Sequence, residues 1–352
     1  MNRISRRDFF RRLIVASPFL VSPGSAASRI FARFAVEDAP PVIFDTDIGN
    51  DVDDALALAI LHALQSRHEC RIVAVTITKD NPWCAPYIDL VNTFYGRPEI
   101  PVGVVKKSGI AAEDSPMIKV PSERKTSDGN LVYPHRIKSG TDAPDAVQVL
   151  RRALSRESDH SVRIVQVGFS TNLARLLASG PDSTSSLTGS ELVLRKVSRL
   201  YVMAGNFADG KSEYNVHMDV PAFRKVFSEW PTEIVTSGFE IGVAMPFPAT
   251  SIESDFRYVA NHPVAEAYRT FQKMPYDRPT WDLTAALYAI RPDHGYFSLS
   301  DPGTIAADDD GRTTFTANPK GKHRYLKINE TQRVRTLESM IELASQPPGS
   351  MR

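Results

Sequence analysis

The chain has 352 residues, 42% hydrophobic and 24% charged, the balance of a soluble globular protein at a length that suits one large α/β domain or two smaller ones. Forty-two Lys and Arg against 41 Asp and Glu leave a formal charge of +1, so no basic field speaks for nucleic acid or an anionic membrane. Two cysteines, Cys70 and Cys84, cannot define a disulfide framework, and disordered, collagen-like and multi-span membrane classes are excluded.

The first residues read as an address. Arg6-Arg7-Asp8-Phe9-Phe10 precedes a short apolar run from Leu13 to Val21 and the small residues Ser25-Ala26-Ala27. The run is too short to span a bilayer, and the layout is that of a bacterial export signal of the twin-arginine type over residues 1–27. The expected partner is the twin-arginine machinery, without stable membrane insertion. The expected destination is the periplasm or the medium, where a disulfide is permitted.

From there strands and helices alternate. Pro41–Thr46 reads as a strand, Asp51–Gln65 as a helix, Arg71–Thr78 as a strand, Ala85–Tyr95 as a helix and Ile100–Val105 as a strand. Residues 106–142 carry no periodicity and read as one long loop, a feature often functional. Then come a helix at Ala143–Arg156, a strand at Val162–Val167, a helix at Thr171–Ala178, a strand at Ser198–Ala204, a helix at Ala222–Ser228 and a strand at Thr232–Ser237. Residues 251–300 look helical, Ala306–Thr316 forms a hairpin around Asp310-Gly311, and Glu330–Ser345 is a closing helix. The pattern predicts an open, mainly parallel, Rossmann-like α/β sheet with helices on both faces, in one domain over residues 36–346. Ligands of such sheets lie beyond the carboxyl ends of the strands.

At the end of the first strand stands Asp45-Thr46-Asp47-Ile48-Gly49-Asn50-Asp51-Val52-Asp53-Asp54. Carboxylates this close raise each other's pKa unless a cation neutralises them, and hard oxygen donors select Ca²⁺ or Mg²⁺. Helix capping accounts for Asp51, Asp53 and Asp54 but not for Asp45 and Asp47. Asp308-Asp309-Asp310-Gly311 lacks the spacing of a calcium loop and reads as a turn.

Asp45-Thr46-Asp47 followed by Asp53-Asp54-Ala55 resembles the signature of the nucleoside hydrolases, the inosine–uridine-preferring N-ribohydrolases, in a form whose spacer is two residues longer than usual. Four further segments resemble the family in order: Thr76-Ile77-Thr78-Lys79-Asp80-Asn81, Val165–Leu173, Met203–Phe207 with Glu213-Tyr214-Asn215, and Thr280-Trp281-Asp282-Leu283. The resemblance implies the nucleoside hydrolase fold, a nucleoside substrate and a bound Ca²⁺ held by Asp47, Asp54, Asp282 and the carbonyl of Val167. It makes Asp47 the general base toward a water, and gives the ribose hydroxyls to Asp53, Asp80, Asn81, Asn206, Glu213 and Asn215, with Asp45 orienting the loop. It also leaves room for a homo-oligomer.

Some members carry a His before the last aspartate; Trp281 stands there, as in purine-specific members, where an indole stacks on the base. Purine nucleosides are therefore the expected substrates. His135, in the long loop with Tyr133, is the candidate leaving-group acid, and that loop is expected to close over the base. Two alternatives stand beside this reading: an exported protein of the same fold that binds a ribonucleoside without cleaving it, and an aspartyl phosphatase of the haloacid dehalogenase type using Asp45 and Asp47.

Overall fold

The computed structural model describes residues 39–107, 110 and 115–349; the expected export signal lies outside them. Twelve strands occur among the described residues: β1 (Pro41–Thr46), β2 (Arg71–Ile77), β3 (Val102–Val104), β4 (Val162–Gln166), β5 (Val197–Met203), β6 (Glu233–Ser237), β7 (Pro246–Phe247), β8 (Arg278–Pro279), β9 (Ser298–Leu299), β10 (Gly303–Ala307), β11 (Thr313–Ala317) and β12 (His323–Lys327). The main sheet has the order β11-β10-β12-β6-β5-β4-β1-β2-β3, with β9 beside β12. Pairing is parallel from β12 across to β3 and antiparallel for β10–β11 and β9–β12.

The first described strand, β1, lies inside the sheet rather than at its edge. β1 is extended on one side by β2 and β3, and the next strand, β4, joins its other side. The direction of winding therefore reverses between β1 and β4, and helices leave the two strands toward opposite faces. The crevice this opens at their carboxyl ends is the expected ligand position in a sheet of this kind. β1 is buried along its whole length because both sheet faces are covered.

Two apolar layers do the covering. One joins the helix Asp53–Ser66 to helices Cys84–Phe94, Pro263–Phe271, Asp282–Ile290 and Glu330–Ala344. The other joins helices Ala146–Arg156, Thr171–Ala178, Gly189–Lys196 and Val220–Glu229.

Most expected elements form within a few residues of their expected bounds; β1 and the helix Thr171–Ala178 keep theirs. Three differences have physical reasons. Residues 106–142 are not a structureless loop: Pro116–Glu123 is a helix started by a proline in its first turn, and Gly140–Asp142 is a 3₁₀ turn with a capping box from Ser139. The helix Gly189–Lys196 was missed although Thr188 and Glu191 form a capping box. β12 was missed because its neighbour β6 precedes it by about ninety residues, a pairing that no local pattern encodes. Cys70 and Cys84 are buried free thiols.

Candidate active site

At the end of β1 the backbone turns sharply. Gly49 has φ of +108°, a left-handed backbone that glycine adopts without strain. After β4, Gly168 lies against the end of β1, where a Cβ would sit 2.5 Å from the Asp47 amide nitrogen. The close approach at Gly168 brings the ends of β1 and β4 together.

The helix Asp53–Ser66 begins without a side-chain cap. The amide of Val52 donates to Asp51 (2.6 Å), and Asp53 and Asp54 are buried rather than solvated. Asp54 accepts a hydrogen bond from the Thr46 hydroxyl. Asp53 Oδ2 accepts from the amides of Trp281 (2.8 Å) and Asp282 (3.1 Å), tying the start of this helix to the start of the helix Asp282–Ile290. Asp53, Asp54 and Asp282 each offer a carboxylate oxygen within 4.8 Å of the others.

Burial sets the electrostatics. It pushes Asp47 up to about 7, against the pull of the Lys79 ammonium. Burial pushes Asp53 up to about 8, with Asp51 adding to it. Asp54 and Asp282 are driven well above the carboxylate range, first by burial and then by neighbouring aspartates. Like charges this close and this dry require protons or a cation. An all-oxygen set fits a hard divalent ion, so the residues present suit a calcium-type metal.

Around the cluster lies a cavity of about 260 Å³, lined also by Asp47, Asn50, Asp51, Val167, Met203, Glu213, Tyr214, Asn215, Phe239, Arg278 and Trp281. Asn215 Nδ2 donates to the carbonyls of Val167 (2.7 Å) and Met203 (3.1 Å), so it fixes the carbonyl expected to face a metal. Glu213 receives the amides of Gly205, Asn215 and Val216, and burial raises it to about 7. Asp45 lies behind the pocket. Its Oδ1 accepts from Thr76 (2.6 Å) and Asn172 (2.8 Å), its carbonyl accepts from the Val167 amide (2.7 Å), and burial raises its carboxyl to about 7.

The cavity thus gathers Asp47, Asp53, Asp54, Val167, Glu213, Asn215, Trp281 and Asp282 from four separated stretches of chain. Other expected site residues stay outside its lining. Asn206 is buried, but its side chain closes its own turn, donating to Asp209 (2.7 Å) and accepting from the Ala208 amide (3.2 Å). Asp80 is exposed, and Asn81 Oδ1 accepts from the Trp83 amide (2.8 Å) just ahead of the helix Cys84–Phe94.

None of the described residues of the long loop lines the pocket. Tyr133 is buried and donates to Glu266. Asp89 receives the amides of Arg136 (2.5 Å) and Ile137 (2.9 Å). His135 is turned to the Tyr133 carbonyl (Nδ1, 2.8 Å), and burial lowers its pKa. Buried anchors on two helices, not length, decide where this loop lies.

Several residues in and around the site were not anticipated. Thr46 and Asn50 stand inside the acidic motif and were passed over for its carboxylates. Lys79 is 3% exposed and donates to Asn50 (3.3 Å); a lysine within a strand-end segment was its signal. Phe239 and Arg278 had none. Trp281 donates its indole N–H to the Phe239 carbonyl (2.9 Å), and the two rings stack with centroids 5.6 Å apart.

A doubly wound α/β sheet with a buried carboxylate cluster and an aromatic wall at its winding reversal defines the small-molecule site of an α/β enzyme. The family model of the inosine-uridine preferring nucleoside hydrolases matches residues 42–342, and the chain belongs to that family. It is 30% identical over 293 residues to the pyrimidine-specific ribonucleoside hydrolase RihA of Salmonella agona, covering 76% of this chain and 79% of the relative.

Solved structures agree on the fold. The purine-preferring ribonucleoside hydrolase from Gardnerella vaginalis superposes with a TM-score of 0.65 at 17% identity, over 87% of this chain and 99% of that one. The inosine-uridine preferring nucleoside hydrolase from Bacillus anthracis gives 0.64 at 18%, over the same shares. The protein is a ribonucleoside N-ribohydrolase: it hydrolyses the N-glycosidic bond of ribonucleosides.

Proposed function

We propose that the enzyme is calcium-dependent, favours purine ribonucleosides, and acts after export from the cell. The observation that carries the metal reading is the convergence of Asp53, Asp54 and Asp282 within 4.8 Å in a buried pocket. Asp47, Asp54, Asp282 and the Val167 carbonyl would hold the ion, with Asp53 beside them. Bound there, calcium supplies Lewis acidity and neutralises the cluster.

The chain's own groups do the rest. Asp47 takes a proton from the attacking water as the water oxygen bonds to C1′. The C1′–N bond breaks with its electron pair going to the base, and the buried carboxylates stabilise the positive charge that develops on the sugar. Glu213, Asn215 and Asp53 hold ribose hydroxyls, which places binding energy where charge develops. The indole of Trp281 donates to Phe239, so it contributes a flat surface and no proton.

The purine preference is supported by the stacked Trp281 and Phe239 rings, a flat apolar wall; stacking is worth about 1–3 kcal/mol per base. Export is supported by the paired arginines and short apolar run of residues 1–27.

The test is base and reducing-sugar release by residues 28–352 from inosine, adenosine, guanosine, uridine and cytidine, with and without chelator. Chelator-sensitive release that calcium restores, fastest for purines, is the expected result. Faster release from uridine and cytidine overturns the purine reading, and chelator-resistant release overturns the metal reading. A fusion of residues 1–35 to a reporter that folds before transport checks export: accumulation outside the cytoplasm is expected, and loss of it in Arg6→Lys/Arg7→Lys.

A further inference from the structure

Asp51 belongs to the lengthened spacer of the acidic loop, yet it does not join the carboxylate cluster. It is spent on Arg278, the first residue of β8. The Arg278 Nε donates to both Asp51 oxygens at 3.0 Å, and Nη2 donates to Oδ2. The pair is largely buried, with side chains 26% and 14% exposed, and both residues line the cavity. The guanidinium carbon also lies 5.3 Å from the Trp281 ring centroid and 5.2 Å from that of Phe271. One carboxylate and two rings therefore hold a planar cation at the aromatic end of the pocket. Among the described residues, Nε and Nη2 account for its side-chain hydrogen bonds, which leaves Nη1 facing no protein acceptor.

We propose that Arg278, held by Asp51, reads the nucleobase by donating Nη1 hydrogen bonds to a carbonyl oxygen on its edge, so that the enzyme favours keto bases over their amino counterparts. This rests on the nucleoside hydrolase reading of the same pocket. As the C1′–N bond breaks, its electron pair delocalises over the ring and onto such an oxygen, and the base later takes a proton from solvent. A charge-assisted hydrogen bond strengthens as that oxygen becomes more negative, so it favours the transition state over bound substrate. An amino group at the same edge sets donor against donor and leaves a buried polar group unpaired, which sites of this kind discriminate against strongly. Arginine suits the task because its fork stays charged and planar when partly desolvated.

The experiment compares inosine with adenosine, which differ in the group at C6, keto or amino, and in the N1 proton that accompanies the keto form. A charge-assisted hydrogen bond implies a kcat/KM ratio of about tenfold or more in the wild type. Arg278→Gln should bring that ratio toward one, through a loss on inosine while adenosine changes less than about threefold. A ratio that survives the substitution, or equal losses on both substrates, assigns the pair to clamping β8 against the loop and overturns the proposal.

Asp51→Ala, which removes both acceptor oxygens from the guanidinium, gives the same reading should Arg278→Gln fail to fold. Calorimetric binding of formycin B and formycin A, whose carbon–carbon glycosidic bond cannot be hydrolysed, separates the two claims. Tighter binding of the keto analogue, lost in Arg278→Gln, supports the proposal even in a protein that releases no base. Equal binding of both analogues by the wild type overturns it even where hydrolysis is fast.

Discussion

The chain carries two runs of acids, and they have opposite fates. Asp308, Asp309 and Asp310 sit in the turn between β10 and β11, exposed to water. Asp308 and Asp310 pair with Arg312, and Asp309 with Arg224. The run from Asp45 to Asp54 sits at the winding reversal of the sheet, where Asp45, Asp47, Asp53 and Asp54 are buried and each is raised far above the ordinary carboxylate value, chiefly by burial. Both runs are dense in aspartate. What differs is whether the fold takes the carboxylates out of water, and that decides which run stores the electrostatic energy a metal or a reaction can use.

The largest expected effect separates the runs directly. Asp47→Asn or Asp282→Asn should lower kcat by about a thousandfold or more, whereas Asp309→Asn should leave it within about twofold, as surface changes do. Equal effects of Asp282→Asn and Asp309→Asn on turnover would sink the assignment of the site.

Next is pH. Asp45 and Asp47 at about 7 and Asp53 at about 8 hold protons in the folded chain that the unfolded chain gives up near 4. Their stabilising contribution is complete below pH 4 and is lost as pH rises through about 8. In chelator, Tm should therefore be lower at pH 8 than at pH 5 by roughly 5 °C or more, and calcium should restore it at pH 8. A metal-free chain that is more stable at pH 8 contradicts the burial argument.

A smaller effect comes from the aromatic wall. Trp281→Ala should lower kcat/KM for purine nucleosides about tenfold and reduce the purine-to-pyrimidine ratio; an unchanged ratio assigns Trp281 to packing alone. His135→Ala should change kcat by less than about twofold, because His135 faces the Tyr133 carbonyl rather than the pocket. A loss of a hundredfold would return the leaving-group acid to that loop. The smallest is stability on the exposed side, where Asp309→Asn should shift unfolding by no more than about 0.5 kcal/mol.

Much of the site was legible because its signals are local. A strand ending in Asp-Thr-Asp needs only β1 to form, and the carbonyl of Val167 needs only β4. The aspartate after Trp281 needs only the start of its own helix. Where the expectation failed, the deciding contact was distant or particular. Asn206 spends its amide on Asp209 three residues away, and Lys79, not Asp80, turns inward after β2. The loop bearing His135 is drawn aside by Asp89, an acid on a helix that takes the amide of Arg136, 47 residues later.

The sequence by itself determined the alternation of strands and helices, the ends of the strands that carry acids, and the family these segments spell out, because each depends on periodicity and spacing over a few turns of chain. Only the tertiary structure decided that Asp53 grips the amide of Trp281, 228 residues away. It alone decided that Asp51 leaves the cluster for Arg278, and that one acidic run is buried while the other stays wet. Those outcomes depend on how the β1 and β4 ends approach and on which helices cover them, and no stretch of neighbouring residues encodes either.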